Sequence, residues 1–386
     1  MIQEHYSVTR MAQDALSAYD HALHPKNILI NGYYGYANAG DEAILESLCQ
    51  SIRRTCPGAG ITVLSGSPAV TEDHYGCRAV PRFSPLALWK AVRWCDVLIS
   101  GGGSLLQDAT STRSLLYYLL VIRMAERRGK KVFLLSNGIG PVRKQGNRKR
   151  VARAVKSAHF ITLRDPESAD ELRSMGVTRS DLTVTADPVY LLEPGEEAKA
   201  REALDALGIG YDPFLAVSIR PWKSDEALEK KVAAICDGAV RRYGLKPLFI
   251  PMQRGVDDPM ARRIAGRMEE PSYILEGVNY GRDIMAIMGK SQLALTMRLH
   301  SLIFAANVAI PSVGISYDPK LDANLKLLGQ PTAGTVETLD VETALRLIGE
   351  TLNRRAERVA ALEEKRRELA TSALRTEEIL RNLQKV

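Results

Sequence analysis

Two polar residues, Arg298 and His300, break the apolar run LALTMRLHSLIFAANVAIPSVGIS at residues 293–316. A guanidinium two positions from an imidazole can hold an anion and move a proton. Arginine presents a planar fork that suits phosphate or carboxylate. Histidine is the side chain that ordinarily titrates closest to neutral pH. The segments VSIRPW and ISYDPK add Arg220 and Lys320, each just past an apolar run. Together Arg220, Arg298, His300 and Lys320 are expected to form an anion pocket with one titratable group. Plainer readings compete with this: His300 as a hydrogen-bonded core histidine, and Arg298 as half of an interdomain salt bridge to a carboxylate such as Asp318. Ser301 lies beside His300 without an evident acidic orienter, so no catalytic triad is arguable. No H-E-x-x-H pattern or carboxylate cluster suggests a metal.

Three glycine-bearing loops stand out in the first half. NGYYGYANAGDEAIL follows an apolar run and precedes a helical pattern. Its glycines allow close backbone approach, and Tyr34 and Asn38 suggest a polyhydroxylated ligand; the bland reading is a tight turn with Asp41 and Glu42 capping the helix. The spacing is neither the dinucleotide fingerprint nor a P-loop. ISGGGSLLQD places Gly102 and Ser104 after another apolar run, with a packed turn as the alternative. SNGIGPV brings Asn137, Arg143 follows it, and Arg164 closes FITLRDPES. Each loop alone is a weak signal; in series at successive strand ends they form a constellation. The basic stretch 143–156 reads as a solvated helix face beyond its first residue.

These residues need a scaffold that brings strand ends together. Short apolar runs at 27–31, 61–64, 96–100, 131–136, 160–163 and 182–185 alternate with helical patterns at 41–54 and 114–129. Continuous apolar strands between helices predict a parallel sheet covered on both faces. A Glu-Pro-Gly to Gly-Tyr-Asp-Pro segment at 191–213 reads as a linker with a short helix. The alternation then resumes with strands at 214–220, 247–251, 292–296 and 312–316, and a helix near 226–243. The expected division is an N-terminal extension (1–26), a Rossmann-like domain (27–190), a linker (191–212), a second Rossmann-like domain (213–340) and a charged helical tail (341–386). The fold class is α/β, two doubly wound domains facing across a cleft, with ligands at the carboxyl ends of the strands.

A 386-residue chain exceeds the usual size of one hydrophobic core. Its 45% apolar and 25% charged content is that of a globular protein. The net charge of +7 and pI near 9.1 suit anionic ligands or an acidic membrane surface. Only 6% aromatics, with no stacking motif, ranks nucleic acid low. Five cysteines without a C-x-x-C pair fit free thiols. The first 25 residues show no secretory h-region, and no run is long enough to span a bilayer. A soluble, cytoplasmic protein is expected, at most peripheral to a membrane.

Taken together, GYYGYANAGDEAIL, SGGGSLLQD, NGIGPV, LRDPES, TMRLHSLIFAA and PSVGISYDPK resemble the polysaccharide pyruvyl transferase family, and within it the bacterial CsaB type. The resemblance runs in order from about Asn27 to Gln330. It implies a fold similar to two-domain GT-B glycosyltransferases. It implies transfer of a pyruvyl unit from phosphoenolpyruvate to a sugar as a cyclic ketal. For the CsaB type the acceptor is N-acetylmannosamine of a lipid-linked secondary cell-wall polymer precursor, whose product anchors surface-layer proteins. The family's R-x-H motif matches Arg298 and His300, and its trailing lysine matches Lys320. With that chemistry His300 is the general acid. Arg298 and Lys320 hold phosphoenolpyruvate, with Arg143, Arg164 and Arg220 as further donor candidates. Tyr34, Asn38, Asp41, Gly102, Ser104 and Asn137 fall on the acceptor side. No metal or other cofactor is implied, and the oligomeric state is left open. A sugar-nucleotide glycosyltransferase and a degenerate glycan-binding protein are the rival readings.

Overall fold

The computed structural model describes residues 26–109, 111–223 and 226–381, so the proposed extension lies outside it except for Lys26. The chain divides into two compact units. The first contains residues up to Tyr36, Ile44–Pro188 and those from Thr371 onward; the second contains Ala37–Ala43 and Val189–Ala370.

The first unit is built on seven parallel strands: β1 (Asn27–Tyr34), β2 (Gly60–Ser65), β3 (Arg78–Pro81), β4 (Val97–Gly101), β5 (Lys131–Asn137), β6 (Phe160–Leu163) and β7 (Thr183–Val184). Their order is β3-β2-β1-β4-β5-β6-β7. The chain reverses direction of winding between β1 and β4, and this is where doubly wound sheets open a ligand crevice. The connecting helices are α1 (Ala39–Thr55), α2 (Pro68–Tyr75), α3 (Pro85–Trp94), α4 (Thr112–Glu126), α5 (Gln145–Ser157) and α6 (Pro166–Ser174). Ile28, Leu29 and Ile30 of β1 are wholly buried, as a strand covered on both faces requires.

The second unit repeats the plan. Strands β8 (Phe214–Ser218), β9 (Lys246–Phe249), β10 (Tyr273–Ile274), β11 (Leu293–Thr296), β12 (Ser312–Ser316) and β13 (Thr332–Thr335) are ordered β10-β9-β8-β11-β12-β13, all parallel. The reversal lies between β8 and β11, whose ends are followed by Arg220 and Arg298. Helices α7 (Glu197–Ala206), α8 (Glu226–Tyr243), α9 (Asp258–Ala265), α10 (Gly281–Met288), α11 (Leu299–Asn307), α12 (Pro319–Leu327) and α13 (Val341–Asn353) complete it. The long α14 (Arg355–Arg381) belongs to the second unit through residue 370 and to the first beyond it. In the second unit Arg366 Nε donates to Asn307 at 3.2 Å. In the first, the Ser51 hydroxyl donates to Glu377 at 2.7 Å, and Glu377 also pairs with Arg54.

Two parallel, doubly wound sheets agree with the fold read from the sequence. Three differences have physical causes. The 191–212 segment is part of the second unit: Ala200, Leu204 and Ile209 are buried, and the Gly195 N–H donates to the Arg282 carbonyl at 2.8 Å. Residues 37–43 belong to the second unit although the strand before them belongs to the first. The expected single tail is two helices of different membership. No helix among the described residues is long and apolar enough to cross a membrane.

Gly102 shows why the triple glycine is there. Its φ is +56°, and a Cβ would overlap the Ile44 side chain of α1. Replacing Gly102 by Ala is therefore expected to lower stability by about 2–4 kcal/mol in urea unfolding. An unchanged midpoint would mean that the loop relaxes freely.

Candidate active site

Arg298 is held at the end of β11 by the turn chemistry of TMRLHS. The Thr296 and Ser301 hydroxyls donate to the Arg298 carbonyl at 3.1 and 2.7 Å, which tightens the step from strand into α11. Arg298 is the N-cap residue, and its side chain turns inward, about 10% exposed. There its Nη2 pairs with Asp257, a carboxylate only 1% exposed. The partner is thus a carboxylate of the same unit, and not Asp318 as in the plainer alternative of an interdomain bridge. Asp318 instead caps α12 by accepting from the Lys320 N–H at 2.8 Å. The Arg298 Nε is buried with no hydrogen-bond partner. An arginine backed by a buried carboxylate, with a donor in reserve, has the means to receive an anion.

Asp257 does more than balance a charge. Its second oxygen accepts the Met252 and Gln253 N–H groups at 3.0 and 2.9 Å, fixing the loop after β9. That loop is stitched to residues 37–39. The Ala39 N–H donates to the Met252 carbonyl at 2.7 Å, the Arg254 N–H to the Ala37 carbonyl at 3.1 Å, and Asn38 bridges Gln253. Asn38 Oδ1 also accepts the Gly40 N–H at 3.2 Å. Gly40 then seats His300, because a Cβ on it would overlap the imidazole. Arg298, Asp257, the 252–254 loop, residues 37–40 and His300 form a closed circuit.

Arg220, just past β8, donates from Nη1 to the Tyr317 hydroxyl at 3.1 Å and lies 4.9 Å from the centre of its ring. Trp222 packs on the same ring at 5.0 Å. Since β8 and β12 flank β11, Arg220, Arg298 and Tyr317 follow neighbouring strand ends. Lys320 stands half-buried in the first turn of α12.

The first unit revises several expectations. Tyr34 is 1% exposed and donates its hydroxyl to the Gly101 carbonyl at 2.7 Å. It is a core residue, not an acceptor contact. Asn137 is fully buried, its amide donating to the Ser100 and Leu135 carbonyls at 2.8 and 3.0 Å. Gly102 is buried against Ile44, so its requirement is conformational. Arg164, expected on the donor, is buried between Asp165 at 3.5 Å and Asp187 at 3.2 Å and donates to Ser104 at 3.0 Å. Its charge is already matched, and Ser104 serves that network. Arg143 is exposed; its backbone N–H donates to Asp108 at 2.7 Å. Burial would raise the Asp108 pKa, but this bond, the Asn147 amide and the Lys144 N–H hold it below the usual value. Asp41 is half-buried in the first turn of α1, a helix-capping position.

Sequence reasoning missed Asp257, and it missed Arg82. Arg82 follows the edge strand β3, is almost wholly buried, and donates to the Gly32 carbonyl at 2.9 Å. Four rings surround its guanidinium: Tyr36, Phe83, Tyr117 and Tyr118, at 4.5–5.5 Å. Tyr36 stacks on Tyr33 at 4.5 Å. Burial pushes the Tyr117 hydroxyl up to about 12, so it stays a neutral donor. Aromatic faces beside a cation suit a sugar bearing an anionic group. Three or more metal-ligating side chains do not gather anywhere among the described residues.

The sequence profile of the polysaccharide pyruvyl transferases matches residues 38–319. The chain belongs to the polysaccharide pyruvyl transferase family. No curated protein sequence matches it. Solved structures share its GT-B-like fold. Anabaena Alr3699/HepE, solved with UDP and glucose, is 11% identical, with 94% of this chain and 100% of that one covered, at a TM-score of 0.63. S. aureus MnaA with UDP is 11% identical, covering 93% and 96%, at 0.67. The Neisseria meningitidis UDP-GlcNAc 2-epimerase is 10% identical, covering 93% and 100%, at 0.61. At this identity the likeness is one of fold.

In this pyruvyl transferase-family chain, removing Asp257 leaves Arg298 charged and buried. Asp257→Ala is expected to lose about 3–5 kcal/mol of stability, and Asp257→Ala with Arg298→Met to regain part of it. Strictly additive losses in urea titrations would show that the two residues do not act as a pair.

Proposed function

We infer that the chain transfers a pyruvyl group from phosphoenolpyruvate to two hydroxyls of one sugar, giving a cyclic ketal and phosphate. The observation that carries this reading is the Arg298–His300 joint, backed by the buried Asp257, at the reversal point of the second sheet. Arg298 and Lys320 would hold the phosphate and carboxylate of the donor, with Arg220 in support. His300 would protonate the methylene carbon, leaving C2 electron-poor. A sugar hydroxyl adds to C2 and gives its proton back to the imidazole. The C2–O bond to phosphate breaks, with the leaving charge met by the cations. The second hydroxyl adds to C2 and closes the ring, its proton passing to the departing phosphate.

The Tyr33–Tyr36 stack and Arg82 are the proposed acceptor contacts, in place of Tyr34 and Asn137. The motif resemblance to the CsaB type supports a finer version. There the acceptor is N-acetylmannosamine on a lipid-linked cell-wall polymer precursor, made at the cytoplasmic face of the membrane, and the ketal serves surface-layer anchoring.

The test is incubation with phosphoenolpyruvate and a synthetic N-acetylmannosaminyl-glucosamine diphosphate lipid. Phosphate release and a product mass one pyruvyl ketal higher are expected. His300→Gln should slow turnover by about 10²–10⁴-fold without changing the melting temperature. Sugar transfer from a UDP-sugar that survives in His300→Gln would point to a glycosyltransferase instead.

A further inference from the structure

The first unit exposes large apolar side chains where a doubly wound domain should be polar. On α3, Leu88, Ala91 and Val92 are buried, while Leu86, Trp89, Lys90 and Arg93 share the opposite, exposed face. On α4, Leu115, Tyr118 and Ile122 are buried, and Arg113, Leu116, Leu120, Arg123 and Arg127 share the outer face. The two helices follow β3 and β4 and cover the same side of the sheet, because the β3-to-β4 and β4-to-β5 crossovers run in the same direction across it. Their outer faces therefore make one surface. Phe83, 71% exposed, touches the Tyr117 ring of α4 at 5.4 Å, and Trp89 lies 5.7 Å from the Arg128 guanidinium just past α4.

Two properties of this surface point to its partner. It is apolar at the centre: Phe83, Leu86, Trp89, Leu116 and Leu120 account for five exposed large hydrophobics, with Leu86 62% and Leu120 53% exposed. It is also one-signed around the edge, with Lys90, Arg93, Arg113, Arg123, Arg127 and Arg128 all exposed. The only acidic residue on the two helices, Glu126, accepts the Ser157 hydroxyl of α5. Arginines lie over Trp89 at 5.4 and 5.7 Å, an amphipathic group of the kind that sits at lipid headgroup depth. A protein partner would need a matching acidic rim. An anionic bilayer offers apolar depth and negative headgroups without any fixed shape.

We propose that the α3–α4 face docks this protein on an anionic phospholipid bilayer. Leu86, Leu116, Leu120 and Phe83 enter the acyl boundary, and the ring of lysine and arginines meets the headgroups. The proposal deepens the reading of a lipid-linked acceptor and rests on it for the purpose of the contact, not for the surface itself. Arg82, proposed to meet the acceptor, adjoins Phe83 at the edge of this face.

The full chain, without substrates, is sedimented with vesicles of phosphatidylcholine alone and of phosphatidylcholine with phosphatidylglycerol. Binding to the second kind only, weakened by salt, is expected. Leu86→Ser/Leu120→Ser and Arg93→Glu/Arg123→Glu should each weaken it about tenfold or more, with unchanged melting temperature and unchanged phosphate release on a water-soluble acceptor. Absence of binding by the unmodified protein overturns the proposal, as does binding that both double variants retain. A dimer in light scattering that the same variants disperse also overturns it, since the partner is then a second copy. Failure of phosphate release with intact vesicle binding would count against the transferase reading alone.

Discussion

The second unit's functional edge depends on one buried carboxylate. Asp257 meets Arg298 with one oxygen and two backbone N–H groups with the other. Neither charge is stable where it lies without the other, because desolvating a lone ion costs more than any neighbouring contact returns. The pair is therefore a constraint that the fold must satisfy, and satisfying it orients the arginine. The same carboxylate shapes the 252–254 loop, the loop grips residues 37–39, and Gly40 leaves room for the His300 ring. Arg298 and His300 are thus positioned through one connected set of local contacts instead of by separate scaffolding.

The two units use their reversal points differently. In the second, β8 is followed by Arg220 against the Tyr317 ring, on which Trp222 also packs, and β11 by Arg298 paired with the buried Asp257. In the first, the polar groups at the ends of β4, β5 and β6 are turned inward. Arg164 is neutralised by Asp165 and Asp187, and Asn137 and Tyr34 close gaps between strand ends. At the β3 end the first unit instead encloses a cation in aromatic rings: Arg82, nearly buried, within Tyr36, Phe83, Tyr117 and Tyr118.

Much of this was legible in the amino-acid sequence, and the rest was hidden for identifiable reasons. Central strands such as 27–31 and 292–296 are continuous apolar runs, so the parallel sheets could be read directly. The edge strands Arg78–Pro81, Tyr273–Ile274 and Thr332–Thr335 are short and half-exposed, and no apolar run marks them. Arg298 and His300 were visible because polar residues interrupt burial there. Asp257 was not, because in GVDDPM it looks like one more helix cap, and its partner lies 41 residues away. Tyr34, Asn137 and Arg164 misled in the opposite way. A polar residue at a strand end faces a ligand only if the following loop does not fold over it, and residue spacing does not report that.

The central claim is that His300 protonates the methylene carbon of phosphoenolpyruvate before the sugar attacks. Running the transfer in D2O and weighing the pyruvylated sugar by mass spectrometry tests it directly. A ketal whose methyl group carries a single solvent-derived deuterium is the predicted product. Deuterated ketal formed at an unchanged rate by His300→Gln, or a glycosylated product formed while phosphoenolpyruvate stays intact, would contradict it.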